Sequence, residues 1–71
     1  MRWFERQRQA WINQRLAKEG RINRADLMRE FDVSRQTASH DLQKFCKANP
    51  GTMFYDPSEK SYIRGRKREP A

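Results

Sequence analysis

Apolar residues recur at helical spacing as far as Phe45 and give way beyond Pro50 to two short runs rich in strand-forming residues. Phe4, Trp11, Ile12 and Leu16 fall within one broad stripe. That stripe predicts a first helix from about Arg2 to Lys18, with these residues toward a core. Lys18 lies in its last turn, where a cation complements the helix dipole. Gly20, just beyond, suits a left-handed cap. Trp3 falls opposite the stripe, where it either supports self-association or packs locally on later segments.

Arg21-Ile22-Asn23 is a short link with room for a strand of one or two residues. Asn23 opens a second, short helix, and Asp26 three residues on completes a variant of the capping box. Leu27, Met28 and Phe31 are expected to supply its apolar face. Asp32 stands at the following sharp turn and tolerates the left-handed conformation such a turn demands. Ser34 then caps a third helix, Arg35 to about Ala48. Val33, Ala38, Leu42 and Phe45 form its packing face, whereas Arg35, Gln36, Ser39, His40 and Gln43 fall on the other side. Asn49-Pro50-Gly51 stops the helix. Thr52–Tyr55 and Ser61–Arg64 read as strands joined by the turn cluster Asp56–Lys60. Three helices followed by a hairpin is the order of a winged helix-turn-helix, mainly α with a small β-hairpin as its wing. The domain is expected to span residues 1–65, with 66–71 a basic, disordered tail.

The chain has 71 residues, enough for one small domain and too few for an enzyme-sized cleft. Mean hydropathy is −1.23, polar for a globular chain, but eight aromatic residues argue for a core. A net charge of +7 and a pI near 10.3 favour a polyanionic partner. Cys46 is the single cysteine, so neither an internal disulfide nor a multi-cysteine zinc site is open to the chain. It lies four residues after Leu42 and reads as a small core hydrophobe. A catalytic pair with His40 is disfavoured, because the two fall on different helix faces. No membrane-length apolar run, signal-peptide pattern or metal-ligand cluster is visible in these 71 residues, and none is expected. The expectation is a cytoplasmic, non-enzymatic protein without a cofactor.

The polar face of the third helix carries long donors and acceptors, as a helix reading base edges in a DNA major groove requires. Arg35 and Gln36 are the candidate base readers, since Arg pairs bidentately with guanine and Gln with adenine. Ser34 and the first amides of that helix suit a phosphate. Thr37, Ser39 and His40 can reach phosphate, a thymine methyl or a base edge, and Gln43 lies on the same face. Arg24, Lys44, Lys47, Lys60 and Arg64 are candidate phosphate contacts. The tail arginines could follow the backbone or enter a minor groove. Plainer alternatives are solvated side chains for Arg35, Gln36 and His40, dipole compensation for Lys44 and Lys47, and solvated coil for the tail. Asp41 is expected to hold a nearby basic side chain, and Asp56 and Glu59 place negative charge at the wing tip.

Val33–Leu42, with its Ser-x-x-Thr opening and Asp41-Leu42 pair, resembles a winged helix-turn-helix of the DeoR type. Further stretches narrow the likeness: Gly20–Leu27, Phe31–Ser34, Gln36–Leu42, Pro50-Gly51, Tyr55-Asp56 and Lys60-Ser61-Tyr62. Together they resemble the N-terminal DNA-binding domain of WYL-domain transcriptional repressors associated with bacterial anti-phage defence systems of the BREX and CBASS kinds. The resemblance implies specific double-stranded DNA binding, a repressor's role, and a homodimer on an inverted-repeat operator. Those regulators continue into ligand-sensing and dimerisation domains, so their effector response is not carried over, and a monomer or weak dimer is expected in solution. The other classes weighed are a protein-interaction module using Trp3 and the wing aromatics, and single-strand binding by stacking on Phe54, Tyr55 or Tyr62.

Overall fold

The computed structural model describes the backbone of residues 2–65 and the side chains of residues 5–65. The readings of the Trp3 and Phe4 side chains and of the basic tail 66–71 lie outside the described residues. Helix α1 spans Arg2–Glu19 and stops at Gly20, whose N–H donates to the Leu16 carbonyl at 2.8 Å and whose φ of 77° turns the chain out of the helix. Strand β1, Arg21–Ile22, follows directly.

Helix α2, Arg24–Phe31, starts at a complete capping box. The Asp26 N–H donates to Asn23 Oδ1 and the Asn23 N–H donates to Asp26 Oδ2, each at 3.0 Å. Asp32 ends the helix in the left-handed region, at φ 53° and ψ 45°, as the turn chemistry predicts. Helix α3, Arg35–Ala48, is capped by Ser34 Oγ, which accepts from the Thr37 N–H at 3.1 Å. It closes at Asn49, whose N–H donates to the Phe45 carbonyl at 2.9 Å.

The wing is strands β2, Met53–Asp56, and β3, Ser61–Arg64. It is more than a hairpin: β3 is the central strand of an antiparallel sheet in the order β1-β3-β2. Ile22 lies opposite Tyr62 in one pairing and Tyr55 opposite Tyr62 in the other. The short strand expected within the Arg21-Ile22-Asn23 link therefore covers an edge that the hairpin alone would leave open.

The core takes Ile12 and Leu16 from α1, Ile22 from β1, Leu27 from α2, Ala38, Leu42 and Phe45 from α3 and Met53 from β2, each at most 4% exposed. Every element but β3 contributes a buried hydrophobic residue to that core. Trp11 and Phe31 close one flank as an edge-to-face pair with centroids 5.5 Å apart. Cys46 packs half-buried against the core, with its thiol 3.7 Å from the Met53 carbonyl oxygen. Met28 departs from expectation. It stands about one hundred degrees around α2 from buried Leu27, and it is 37% exposed at the surface.

Candidate nucleic-acid interface

The cap at Ser34 and the apolar stripe Ala38–Leu42–Phe45 together decide which way α3 faces. With that stripe inward, Gln36, His40, Gln43 and Lys47 recur three or four residues apart on the opposite, exposed side. Arg35 and Lys44 are exposed on its flanks. The acid of α3, Asp41, is fully buried, so the outward face carries donors and cations and no carboxylate. Ser39 and Thr37 are half-buried at the margins. Thr37 belongs to the cap, its Oγ1 accepting from Ser34 Oγ at 3.0 Å.

Four of the candidate residues converge beside that face. Arg24, Ser39, Gln43 and Lys60 line a cleft of about 200 Å³ together with Asn23, Tyr55 and Tyr62. The cleft lies where the start of α2, the middle of α3 and the wing meet. Arg24 reaches across it, Nη1 donating to Ser39 Oγ at 3.4 Å. A shallower hollow of about 420 Å³ shares Asn23, Arg24 and Lys60 and extends to Arg35 and Met28. Among the described residues no carboxylate lines either one. Lys60 takes a left-handed backbone, φ 52°, at the end of the wing turn. Tyr55 and Tyr62 meet edge-to-face at 5.2 Å, with Tyr55 47% exposed. Burial raises the pKa of the Tyr62 phenol, Cys46 and Tyr55 add to the rise, and Arg24 opposes it.

Two candidates stand apart. Lys44 turns toward α1 and pairs with Glu5. Its ammonium lowers the pKa of the Glu5 carboxyl, through the hydrogen bond first and charge second. Arg64 lies at the far end of β3, where its Nη1 donates to the Ala17 carbonyl at 3.2 Å. The acids of the wing are also engaged. Glu59 lies 3.7 Å from Arg21, and Asp56 Oδ1 accepts from the Ser58 N–H at 3.0 Å and its hydroxyl at 2.6 Å.

Asp41 does hold a basic side chain, and the partner is Arg8 of α1. Nothing in the sequence reading singled out Arg8 or its neighbour Gln9, which donates to the Asp41 carbonyl at 2.9 Å. A signal was present. Arg8 lies four residues before Ile12, so a cation sits within one core stripe while an acid sits within another. Tyr55 and Tyr62 were likewise not foreseen as neighbours of Arg24, because the sheet register, Ile22 opposite Tyr62 and Tyr62 opposite Tyr55, brings them there. Among the described residues no group of three or more His, Cys, Asp or Glu is placed to hold a metal ion, and no helix is long and apolar enough to cross a membrane.

Comparison with known proteins agrees with this architecture. The family described as the BrxR transcriptional regulator winged helix-turn-helix domain matches residues 5–71. A DNA-binding transcriptional repressor, CapW, of Stenotrophomonas maltophilia is 38% identical over 63 residues, covering 89% of this chain and 21% of that protein. CapW of Escherichia coli (strain KTE188) is 38% identical over 61 residues, 86% of this chain and 20% of that protein. The chain thus spans about a fifth of the length of these curated relatives.

Proposed function

Since the chain belongs to the BrxR transcriptional regulator winged helix-turn-helix family, we propose that it is the DNA-binding part of a transcriptional repressor that recognises a specific duplex sequence. Helix α3 enters the major groove. Arg35 and Gln36 read base edges, with His40 and Gln43 further along the same face. Ser34, at the capped N-terminus, meets a phosphate together with the first amides of the helix. Arg24 and Lys60 grip the backbone on the wing side, with Ser39 and Thr37 at the margins. Lys44 and Arg64 act only at a distance, since each already has a partner within the fold. Regulation by the whole protein, through a homodimer on an inverted repeat with recognition helices a whole number of DNA turns apart, is part of the same proposal.

The observation that carries the reading is the outward face of α3, cationic and amide-bearing, free of carboxylates and continuous with the cleft at Arg24 and Lys60. The test is selection from a random duplex library at several salt concentrations. Enrichment of a defined sequence, with affinity falling steeply as salt rises, is expected. Binding that ignores salt, or a preference for single strands, would overturn it.

A further inference from the structure

The seam between α1 and α3 is polar at two successive turns, and its charges alternate in sign. Glu5 faces Lys44, and Arg8 faces Asp41, three residues on in α1 and three residues back in α3. The pairing therefore runs antiparallel. Arg8 engages both carboxylate oxygens of Asp41, through Nε to Oδ2 and through Nη2 to Oδ1 at 3.3 Å. Gln9 holds the backbone of the same residue by its bond to the Asp41 carbonyl. The Asp41 side chain is 0% exposed and that of Arg8 14%.

Apolar burial between two helices is non-directional and carries no charge sign to distinguish one register from another. A buried, bidentate ion pair is directional, and leaving either partner alone in the interior is costly. Sliding α3 by one turn along α1 sets Arg8 against Lys44 or Glu5 against Asp41. Both are like-charge encounters, and the first also strands the Asp41 carboxylate. One helical turn is about 5.4 Å, more than the spacing of successive bases at ~3.4 Å. Looseness of ~1 Å already degrades a recognition site.

We infer that this charge-alternating seam, Glu5–Lys44 and Arg8–Asp41 with Gln9, is a positioning device that sets the sequence discrimination of α3. Its buried members touch no DNA and act through the placement of Arg35 and Gln36. The inference rests on the DNA-binding reading above. It separates stability from specificity: apolar substitutes can fill the space of the buried pair, but they cannot fix the register.

The test is the double variant Arg8→Met with Asp41→Leu, which removes one charge of each sign and leaves the net charge unchanged. Thermal melting establishes folding. Affinities for the duplex enriched by the unmodified chain and for a scrambled duplex of equal length are then compared at one salt concentration, and the salt dependence is measured. The variant is expected to stay folded, to bind the scrambled duplex within about threefold of the unmodified chain with the same salt slope, and to lose about tenfold or more in discrimination. Gln9→Leu, which spares the ion pair, is expected to lose several-fold in discrimination while melting nearly unchanged. A folded double variant with unaltered discrimination overturns the inference. If the double variant does not fold, Gln9→Leu decides, and unaltered discrimination there overturns it equally. An unmodified chain with no sequence preference overturns the DNA-binding reading and this inference together. A preference that survives both variants overturns this inference alone.

Discussion

Asp32 and Ser34 show how much of the helix-turn-helix rests on single side chains. Asp32 occupies the left-handed region, φ 53°, which a β-branched residue resists. Asp32→Val is expected to cost about 1–2 kcal/mol, read as a lowered denaturant midpoint, whereas Asp32→Gly should leave the midpoint nearly unchanged. Ser34→Ala removes the Thr37 amide's partner and should cost ~1 kcal/mol. Glu5 supplies a pH test. Its carboxyl is held below the ordinary glutamate range by Lys44. A carboxyl depressed in the folded chain contributes stability above its unfolded pKa and loses it as pH falls through the folded value. Glu5 is exposed enough that the effect belongs in a titration curve rather than in a melting temperature. Lys44→Gln should move the NMR titration of Glu5 upward, and an unmoved curve would assign the depression to another cause. At this scale the sequence was informative wherever chemistry is local. The Asn23–Asp26 box, the Ser34 cap and the left-handed Asp32 each depend on neighbours three residues away or fewer. Arg8 was missed because its partner lies 33 residues along the chain.

The elements were legible by the same logic and failed where pairing is long-range. Periodicity placed all three helices within a residue or so of their ends, since each has an amphipathic stripe or a cap to mark it. It could not show that Arg21–Ile22 joins β3, because a two-residue strand has no period of its own and gains its place only from Tyr62 and Ile63 opposite. Met28 went the same way. Helical spacing allowed it to face inward, and the rotation of α2 set by Leu27 put it outside. The α1–α3 seam supplies the element-scale prediction. Asp41→Ala leaves Arg8 without its partner in a site 14% exposed, and should destabilise by about 3–5 kcal/mol. That is a large share of the ~5–15 kcal/mol typical of whole domains. Calorimetry of this variant beside the Arg8→Met/Asp41→Leu pair checks it: the single variant should melt well below the double one.

For the molecule as a whole, a net charge of +7 favours a polyanionic partner but does not say where it would sit. The chain carries 16 basic and 9 acidic residues, and the fold sorts them. Asp41 is buried, Glu5 and Glu59 are paired, and the cleft beside α3 keeps Arg24 and Lys60 with no acid in its lining among the described residues. That sorting depends on tertiary placement, so the sequence offers Arg24, Lys60, Lys44 and Arg64 all as phosphate contacts, with helix-dipole compensation as the alternative for Lys44, while the fold separates them. The consequence is measurable in salt. Arg24→Ala and Lys60→Ala should each weaken binding to all duplexes alike and reduce the slope of log affinity against log salt by about one. Lys44→Ala and Arg64→Ala should change it by much less. Equal changes at all four positions would mean that the whole basic surface, rather than the cleft, meets the phosphates.

The most direct test compares the unmodified chain with Arg35→Ala/Gln36→Ala on the enriched duplex and on a scrambled one at the same salt concentration. Each bidentate contact contributes about 1–3 kcal/mol of discrimination. The preference for the enriched sequence should therefore collapse toward unity in the variant, while affinity for the scrambled duplex falls only modestly. Equal losses on both duplexes would make these two residues anchors to the backbone and contradict the assignment of the start of α3 as the reader of sequence.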